Sequence, residues 1–117
     1  MDLHELKLES LKNIKVVNCP DNINLGIVST DDNIKVVIYY IEKFNDVDAF
    51  VRFCSGISLP ENNTTILLYK KGRHDDVNLN SIYLPFKEGK YPNFRLKVPV
   101  LGTLQPDYLG ALIMSRK

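Results

Sequence analysis

The feature that most constrains the fold of this chain is a succession of an apolar strand, an amphipathic helix and a second apolar strand. Residues 34–41 (IKVVIYYI) are almost continuous in β-branched and aromatic side chains, as is typical of a strand covered on both faces. Residues 64–69 (TTILLY) predict another buried strand. Between them, apolar side chains recur at helical spacing over 47–54, and the segment ends near Gly56. The pattern predicts a right-handed βαβ unit with parallel strands, of which 34–41 is the central strand.

Further elements are predicted on both sides of this unit. A short apolar stripe over 3–11 predicts a helix that is stable only when docked on the rest of the protein, and the β-branched run 14–17 predicts a first strand. Residues 25–30 favour an additional strand. Mixed apolar spacing over 75–86, together with Pro85, predicts a short helix or an irregular connection.

The last part of the chain predicts a hairpin. Apolar and charged residues alternate over 94–101, where Pro99 favours an edge position or a bulge. A turn is expected over 102–107, followed by a final apolar strand over 108–114 that pairs with the preceding one in antiparallel fashion. The predicted fold class is therefore α/β: a single domain with a mixed, mostly parallel sheet of about five strands, flanked by helices and closed by a C-terminal antiparallel hairpin.

Length and charge limit the kind of protein this chain can be. With 117 residues, of which 44% are hydrophobic and 25% charged, it has the composition of one globular domain, 1–117. Its net charge of +1 argues against a nucleic-acid-binding module, because such modules need a surplus of basic residues. No apolar run approaches the roughly 20 residues that a membrane-spanning helix requires. We therefore expect neither a nucleic-acid partner nor a membrane partner.

The first residues and the two cysteines bear on location and on metal binding. Met1 is followed by polar residues rather than by a basic stretch and an apolar run, so no secretory signal is expected. Cys19 and Cys54 have neither CxxC spacing nor a neighbouring histidine pair, so no metal site is predicted. The expected location is the reducing cytoplasm.

Four stretches of the chain carry a resemblance to a known family: LESLKNIKVVNCPDNI at 8–23, IKVVIYYIEKF at 34–44, TTILLYKKG at 64–72 and YLGALIMSRK at 108–117. Together they resemble a family of small bacterial α/β proteins of unknown function. The order of elements also resembles the second half of the class I methyltransferase-like fold. The resemblance supports the fold, and it implies no catalytic residue because that family has no activity to carry over.

The methyltransferase-like order does not extend to a cofactor loop. Binding of S-adenosylmethionine by that fold needs a glycine-rich loop after the first strand, where backbone amides approach the ligand closely. Here the corresponding loop is NCPDN at 18–22, and the next glycine is Gly26. We therefore predict no cofactor and no methyl transfer.

The most concentrated basic cluster follows the second strand of the βαβ unit and contains Lys70, Lys71, Arg73 and His74. Open α/β sheets place ligands at the carboxyl ends of their strands, so these four residues are the candidate site for an anionic ligand. The alternative is a solvated turn whose charge is neutralised by the two aspartates that follow. No catalytic residue is predicted, because no nucleophile is identifiable near His74.

The two cysteines have structural interpretations as well as chemical ones. Cys19 follows the first predicted strand, where an activated thiolate would need a nearby cation or helix terminus, and the sequence shows neither. Cys54 lies on the apolar stripe of the predicted helix and is most simply a small core residue. Both interpretations favour packing over reactivity.

Two functions fit these observations. The first is a non-catalytic binding or protein-interaction module with a protein partner, or a homodimer joined through a sheet edge or an apolar helix face; along 94–101, however, Arg95, Lys97 and Pro99 resemble edge protection. The second is a protein that binds a small or anionic molecule, or a reduced enzyme, with its site at the carboxyl ends of the central strands. The first is favoured because catalysis needs convergent polar groups and the sequence shows scattered ones.

Overall fold

The computed structural model describes residues 13–21, 23, 29–61, 63–72, 77–104 and 109–117, with the backbone alone over 97–104. In this part of the chain the elements follow the order β1 (Ile14–Val17), β2 (Val36–Tyr40), α1 (Asp46–Ser55), β3 (Thr64–Lys70), α2 (Leu79–Lys87), β4 (Phe94–Leu104) and β5 (Leu109–Arg116). Neither of these helices is long and apolar enough to cross a membrane.

The strands form one mixed sheet in the order β1-β2-β3-β5-β4. β1 pairs with β2 and β2 with β3 in parallel, whereas β5 pairs antiparallel with both β3 and β4. The predicted parallel βαβ unit, β2-α1-β3, is confirmed. The prediction of a mostly parallel sheet is wrong, because the last strand enters between β3 and β4 and makes half of the strand contacts antiparallel.

The C-terminal strands pair antiparallel as predicted, but their limits differ. β4 continues to Leu104, so Gly102, Thr103 and Leu104 are strand residues rather than part of the predicted turn. They pair with Ala111, Gly110 and Leu109 of β5. Pairing with a long partner strand supplies hydrogen bonds that override the local turn preference of glycine. The remainder of the predicted turn, 105–107, and the first residue of the predicted final strand, 108, lie outside the described residues.

Several other predictions can be compared with the structure. The first strand is confirmed at 14–17, the helix of the βαβ unit ends at Ser55 as expected, and 75–86 contributes a short helix, α2, that contains Pro85. Strand β2 is shorter than predicted and lies next to the middle strand, which is β3. The predicted helix over 3–11 and residues 25–28 of the predicted additional strand lie outside the described residues.

Among the residues whose burial is described, the core consists of two clusters, one on each face of the sheet, because side chains alternate along a strand. On the first face, strand residues pack against both helices; the buried members include Val37, Leu67, Leu112, Phe50 and Phe86. The second face holds a separate cluster without residues of α1 or α2, and its members include Ile38, Ile66, Leu68, Leu109 and Ala111. The βαβ helix therefore covers only one face of the interior strands.

Both outer edges of the sheet are modified. On β4, residues 97–100 lie opposite Ile113 alone, which makes a bulge at the position of Pro99, as predicted. On β1, the outward carbonyl of Ile14 accepts from the Thr30 amide at 2.8 Å, and the outward amide of Val16 donates to the Ser29 hydroxyl at 2.9 Å. Such features prevent an edge strand from pairing with another chain.

Candidate functional site

A cleft of about 660 Å³ lies at the amino ends of the parallel strands. Its volume is in the range of small-molecule sites in proteins. Three segments form it: the residue before β1, the approach to β2, and the connection from α1 to β3. The lining residues are Asn13, Asp31, Asn33, Ile34, Lys35, Ile57, Ser58, Leu59 and Pro60. We call this feature the amino-edge cleft.

One wall of the amino-edge cleft is the connection 57–60, which is held by the end of β5. Helix α1 stops at Gly56, whose amide donates to the carbonyls of Arg52 and Phe53. The Arg116 guanidinium, from the last residue of β5, then donates to the Cys54 carbonyl and, at 2.7 Å, to the Ile57 carbonyl. A cation at a helix C-terminus is favourable because it meets unpaired carbonyls. Arg116 therefore fixes the start of the wall.

Asn63 fixes the other end of the same wall. Its side chain is almost completely buried, with 1% of its surface exposed. Its Nδ2 donates to the carbonyls of Pro60 at 2.6 Å and Arg116 at 2.8 Å, and its Oδ1 accepts from the Arg116 amide at 2.8 Å. The connection 57–60 is thus bonded at its first residue to the Arg116 guanidinium and at its last residue to Asn63, which also binds the backbone of Arg116.

Two asparagines in the left-handed backbone region also line the cleft. Asn13 has φ 59° and Asn33 has φ 50°, and each lies just before a parallel strand. Asparagine tolerates this conformation better than other residues with a side chain, apart from aspartate. The Asn13 carbonyl accepts from the amides of Lys35 at 3.0 Å and Val36 at 3.3 Å, so the two approaches are bonded to each other.

The charged side chains that line the cleft differ in whether they already form an ion pair. Asp31 is paired with Lys15, whose Nζ lies 2.5 Å from Asp31 Oδ1. Lys35 is exposed, and no hydrogen bond or ion pair joins its ammonium group to another residue in the described part of the chain. Within the described part of the chain, Lys35 is therefore the charged lining residue that has no ion-pair partner.

The apolar part of the lining continues the core. Ile34 is buried in the cluster between the sheet and the helices, and Ile57 and Leu59 pack against that cluster. With Pro60 they give the cleft an apolar side next to the amides of Asn13 and Asn33. A mixture of apolar surface with a few polar groups is typical of ligand-binding clefts.

The opposite, carboxyl edge of the parallel strands is organised around Asp46. Its Oδ2 accepts from the amides of Glu42 at 3.0 Å and Lys43 at 2.9 Å and from Asn18 Nδ2 at 3.3 Å. Asn18 Nδ2 also donates to the Tyr40 carbonyl at 3.0 Å. These bonds tie the end of β1 to the turn before α1, so this carboxylate has a structural role.

The predicted basic site is described only in part. Lys70 is the last residue of β3 and Lys71 begins the turn that contains Gly72; both lysines are exposed. Arg73 and His74 lie outside the described residues. Whether the four basic residues converge on a ligand stays a prediction.

Neither cysteine has the environment of a nucleophile. Cys54 is fully buried, and its desolvation raises the pKa of the thiol to about 12, although Arg116 opposes the shift. Partial burial also raises the pKa of Cys19, and its Sγ lies 3.8 Å from the Ile23 carbonyl. A thiol with a raised pKa is protonated at neutral pH and reacts slowly. Among the residues that the structure describes, no group of three or more His, Cys, Asp or Glu side chains could hold a metal ion.

Comparison with protein-family models, with curated proteins and with solved structures finds no match to this chain. Sequence reasoning missed the amino-edge cleft, because open α/β sheets ordinarily bind ligands at the other edge. The signal that could have found it is an asparagine shortly before each of two β-branched strands, Asn13 before 14–17 and Asn33 before 34–41.

Proposed function

We propose that this chain is a non-catalytic binding module and that the amino-edge cleft is its binding site. The observation that carries the proposal is the cleft itself: about 660 Å³ of space between three segments, with a wall held in place by Asn63 and Arg116. A preorganised wall lowers the entropy that a ligand must overcome on binding. We also propose that the protein is cytoplasmic and that it is related to the bacterial family which its sequence resembles.

Two further features support binding in a cleft over pairing through a sheet edge. The bulge at 97–100 interrupts β4. On β1, Ser29 and Thr30 form hydrogen bonds with the backbone groups that point away from the sheet. Each feature removes backbone groups that a second strand would need. A homodimer joined through a sheet edge is thus the less favoured form of the interaction hypothesis, and sedimentation at high protein concentration tests it directly.

The alternative is an anionic-ligand site, or a reduced enzyme, at the carboxyl ends of the central strands. Lys70 and Lys71 are exposed at the end of β3, where such a ligand would bind. The same edge carries Asp46, whose carboxylate is already bonded to two backbone amides and to Asn18. The alternative therefore depends on the lysines.

A fragment titration of the ¹⁵N-labelled protein separates these hypotheses. If the cleft is the site, saturable shifts cluster on the amides of Asn33, Lys35, Ser58 and Leu59. Shifts that cluster on Lys70 and Lys71 support the alternative, and an absence of saturable shifts argues against small-ligand binding at either edge.

A blocking variant gives a second test. Ser58 is exposed and lines the cleft, so Ser58→Trp fills part of the space without disturbing the core. Ser55→Trp is the matched control, because Ser55 is exposed, lies one turn earlier and does not line the cleft. We expect fragment binding to be lost in the first variant and kept in the second; equal binding by both would contradict the proposal.

A further inference from the structure

We infer that the amino-edge cleft selects small organic anions, binding a carboxylate or phosphate group at Lys35 and an apolar body against Ile57 and Leu59. This inference rests on the proposed function, because it specifies the ligand class of the same cleft. It goes beyond that function in naming the group that determines selectivity.

Among the described residues, two charged side chains line the cleft, those of Asp31 and Lys35. Without a third charge nearby, the negative charge of Asp31 would offset the positive charge of Lys35. The Lys15 ammonium lies 2.5 Å from Asp31 Oδ1, although Lys15 does not itself line the cleft. Because Lys15 neutralises Asp31 from outside, the positive charge of Lys35 is the one that a ligand meets.

Two other carboxylates lie near the cleft in sequence, but they are not among its lining residues. Asp32 and Glu61 are exposed and follow lining residues in sequence, but neither lines the cleft. Water screens exposed charges that are not in contact, so they weaken the attraction of an anion less than a carboxylate inside the cleft would.

The apolar body of the ligand is assigned to the connection 57–60, which contributes apolar lining residues. Ile57 and Leu59 are half-buried and pack against the main core cluster, so they present a fixed apolar surface. The amides of Asn13 and Asn33 and the hydroxyl of Ser58 provide further hydrogen-bonding groups around the cleft. An anion without an apolar part, such as inorganic phosphate, would use only one side of this lining.

The test uses three aromatic probes of similar shape, benzoate, phenyl phosphate and neutral benzamide, together with inorganic phosphate as an anion without an apolar part. Binding is followed by chemical-shift titration of the full chain at low and moderate salt. We expect benzoate or phenyl phosphate to bind more tightly than benzamide and inorganic phosphate, and their affinity to fall with salt. The stronger of the two aromatic anions distinguishes a carboxylate site from a phosphate site.

Variants of Lys35 test the anchor. We expect Lys35→Ala to weaken binding of the aromatic anion by about three- to tenfold and to leave benzamide binding unchanged, since an exposed ion pair contributes modestly. Lys35→Arg restores the charge and should restore binding. Lys70→Ala removes an exposed lysine at the opposite edge and serves as the matched control.

Variants of the Lys15 and Asp31 pair test the mechanism of selectivity. Lys15→Gln leaves the Asp31 carboxylate unpaired beside Lys35, so anion binding should weaken although Lys15 does not line the cleft. The double variant Lys15→Gln/Asp31→Asn removes that carboxylate and should restore anion binding. A purely structural effect of Lys15→Gln would not be rescued in this way.

The outcomes separate the inference from the proposed function. If benzamide and benzoate bind equally in the cleft and Lys35→Ala has no effect, the cleft is a binding site but the anion selectivity is wrong. If no probe shifts the amides around the cleft, both the inference and the proposed site are overturned. Loss of anion binding in Lys70→Ala alone would overturn both and move the site to the carboxyl edge.

Discussion

The side chain of Asn63 takes the place of a strand residue opposite Arg116. In the antiparallel register of β3 and β5, Thr65 pairs with Met114, so the next pair of the same type would join positions 63 and 116. Asn63 Nδ2 donates to the Arg116 carbonyl and Asn63 Oδ1 accepts from the Arg116 amide, both at 2.8 Å. One buried side-chain amide thus extends the pairing of β5 past the first residue of β3, and it holds the wall of the cleft through Pro60.

This relationship predicts a large effect of substitution at Asn63. Asn63→Ala removes three side-chain hydrogen bonds and leaves the part-buried amide and carbonyl of Arg116 without these partners, so the free energy of unfolding should fall by about 2–4 kcal/mol. Urea denaturation measures the change. Asn93→Ala is the control, because Asn93 is exposed and its hydrogen bond within the described residues is made by its backbone carbonyl, which accepts from the Lys117 amide. Equal effects of the two substitutions would contradict the role assigned to Asn63.

Arg116 should contribute through its guanidinium as well as its backbone. Arg116→Met keeps much of the side-chain volume but removes the donors to the carbonyls of Cys54 and Ile57. We expect a loss of about 1–2 kcal/mol in unfolding free energy and broadened amide resonances over 57–60. Arg95→Met, at an exposed position of β4, should leave both unchanged. If the resonances of 57–60 stay sharp in Arg116→Met, the clamp does not position the wall.

Gly110 lies against the ring of Tyr69 on the neighbouring strand, which leaves no space for a side chain at position 110. Tyr69 pairs directly with Gly110, and a Cβ added at Gly110 would lie 2.5 Å from the Tyr69 hydroxyl and closer still to its ring. We expect Gly110→Ala to destabilise the protein by about 1–3 kcal/mol, because the ring must move within a packed core. In the double variant with Tyr69→Leu, much of this cost should disappear.

Gly56→Ala provides the comparison for this substitution. A Cβ at Gly56 would meet its nearest neighbours at 3.6 Å, which is ordinary contact, and its φ is −90°. Alanine should therefore be neutral or slightly stabilising there. Thermal unfolding of the two single variants would refute the explanation if both lost stability equally.

Burial of Cys54 predicts a loss of stability at alkaline pH. The pKa of its thiol rises from 9.0 to about 12 in the folded protein, so folding favours the protonated form. This contribution is fully present below the unfolded pKa and is lost as pH rises from about 9 towards 12, at no more than about 1.4 kcal/mol per pH unit. Urea unfolding between about pH 8 and about pH 10 measures it.

Cys54→Ala isolates this effect from other titrating groups. In this variant, the part of the alkaline decrease in unfolding free energy that the thiol causes should disappear. The part that other titrating groups cause should remain. Tyr91, whose hydroxyl donates to Asp48 and whose pKa is also raised to about 12, begins to titrate later because its unfolded pKa is 10.0. If wild type and Cys54→Ala show the same pH dependence below about pH 10, the thiol is not the cause.

Much of the fold could be predicted from local pattern. Strand 14–17 and the helix ending before Gly56 were predicted from β-branched runs and helical spacing, which reflect burial along one element. Pro99 predicted the bulge because proline cannot donate to a ladder. The share of parallel pairing was not predictable in this way, since it depends on where β5 enters the sheet.

The candidate site could not be predicted because its residues are distant in sequence. The approach to β1, the approach to β2 and the connection 57–60 meet only when parallel pairing brings their strands together. The basic residues after β3 were chosen from a general rule about strand ends, and Arg73 and His74 remain untested. The cleft at the opposite edge is lined by a connection, 57–60, whose two ends are bonded to Arg116 and Asn63.

The sequence by itself determined which segments form strands and helices and that one βαβ unit lies among them, because hydrophobic periodicity is a property of each segment. Only the tertiary structure decided the strand order, the clamp between Asn63 and Arg116, and the pairing of Lys15 with Asp31 that leaves Lys35 facing the cleft. Those features depend on contacts between residues far apart in the chain, and their free energy exists only after the sheet has assembled.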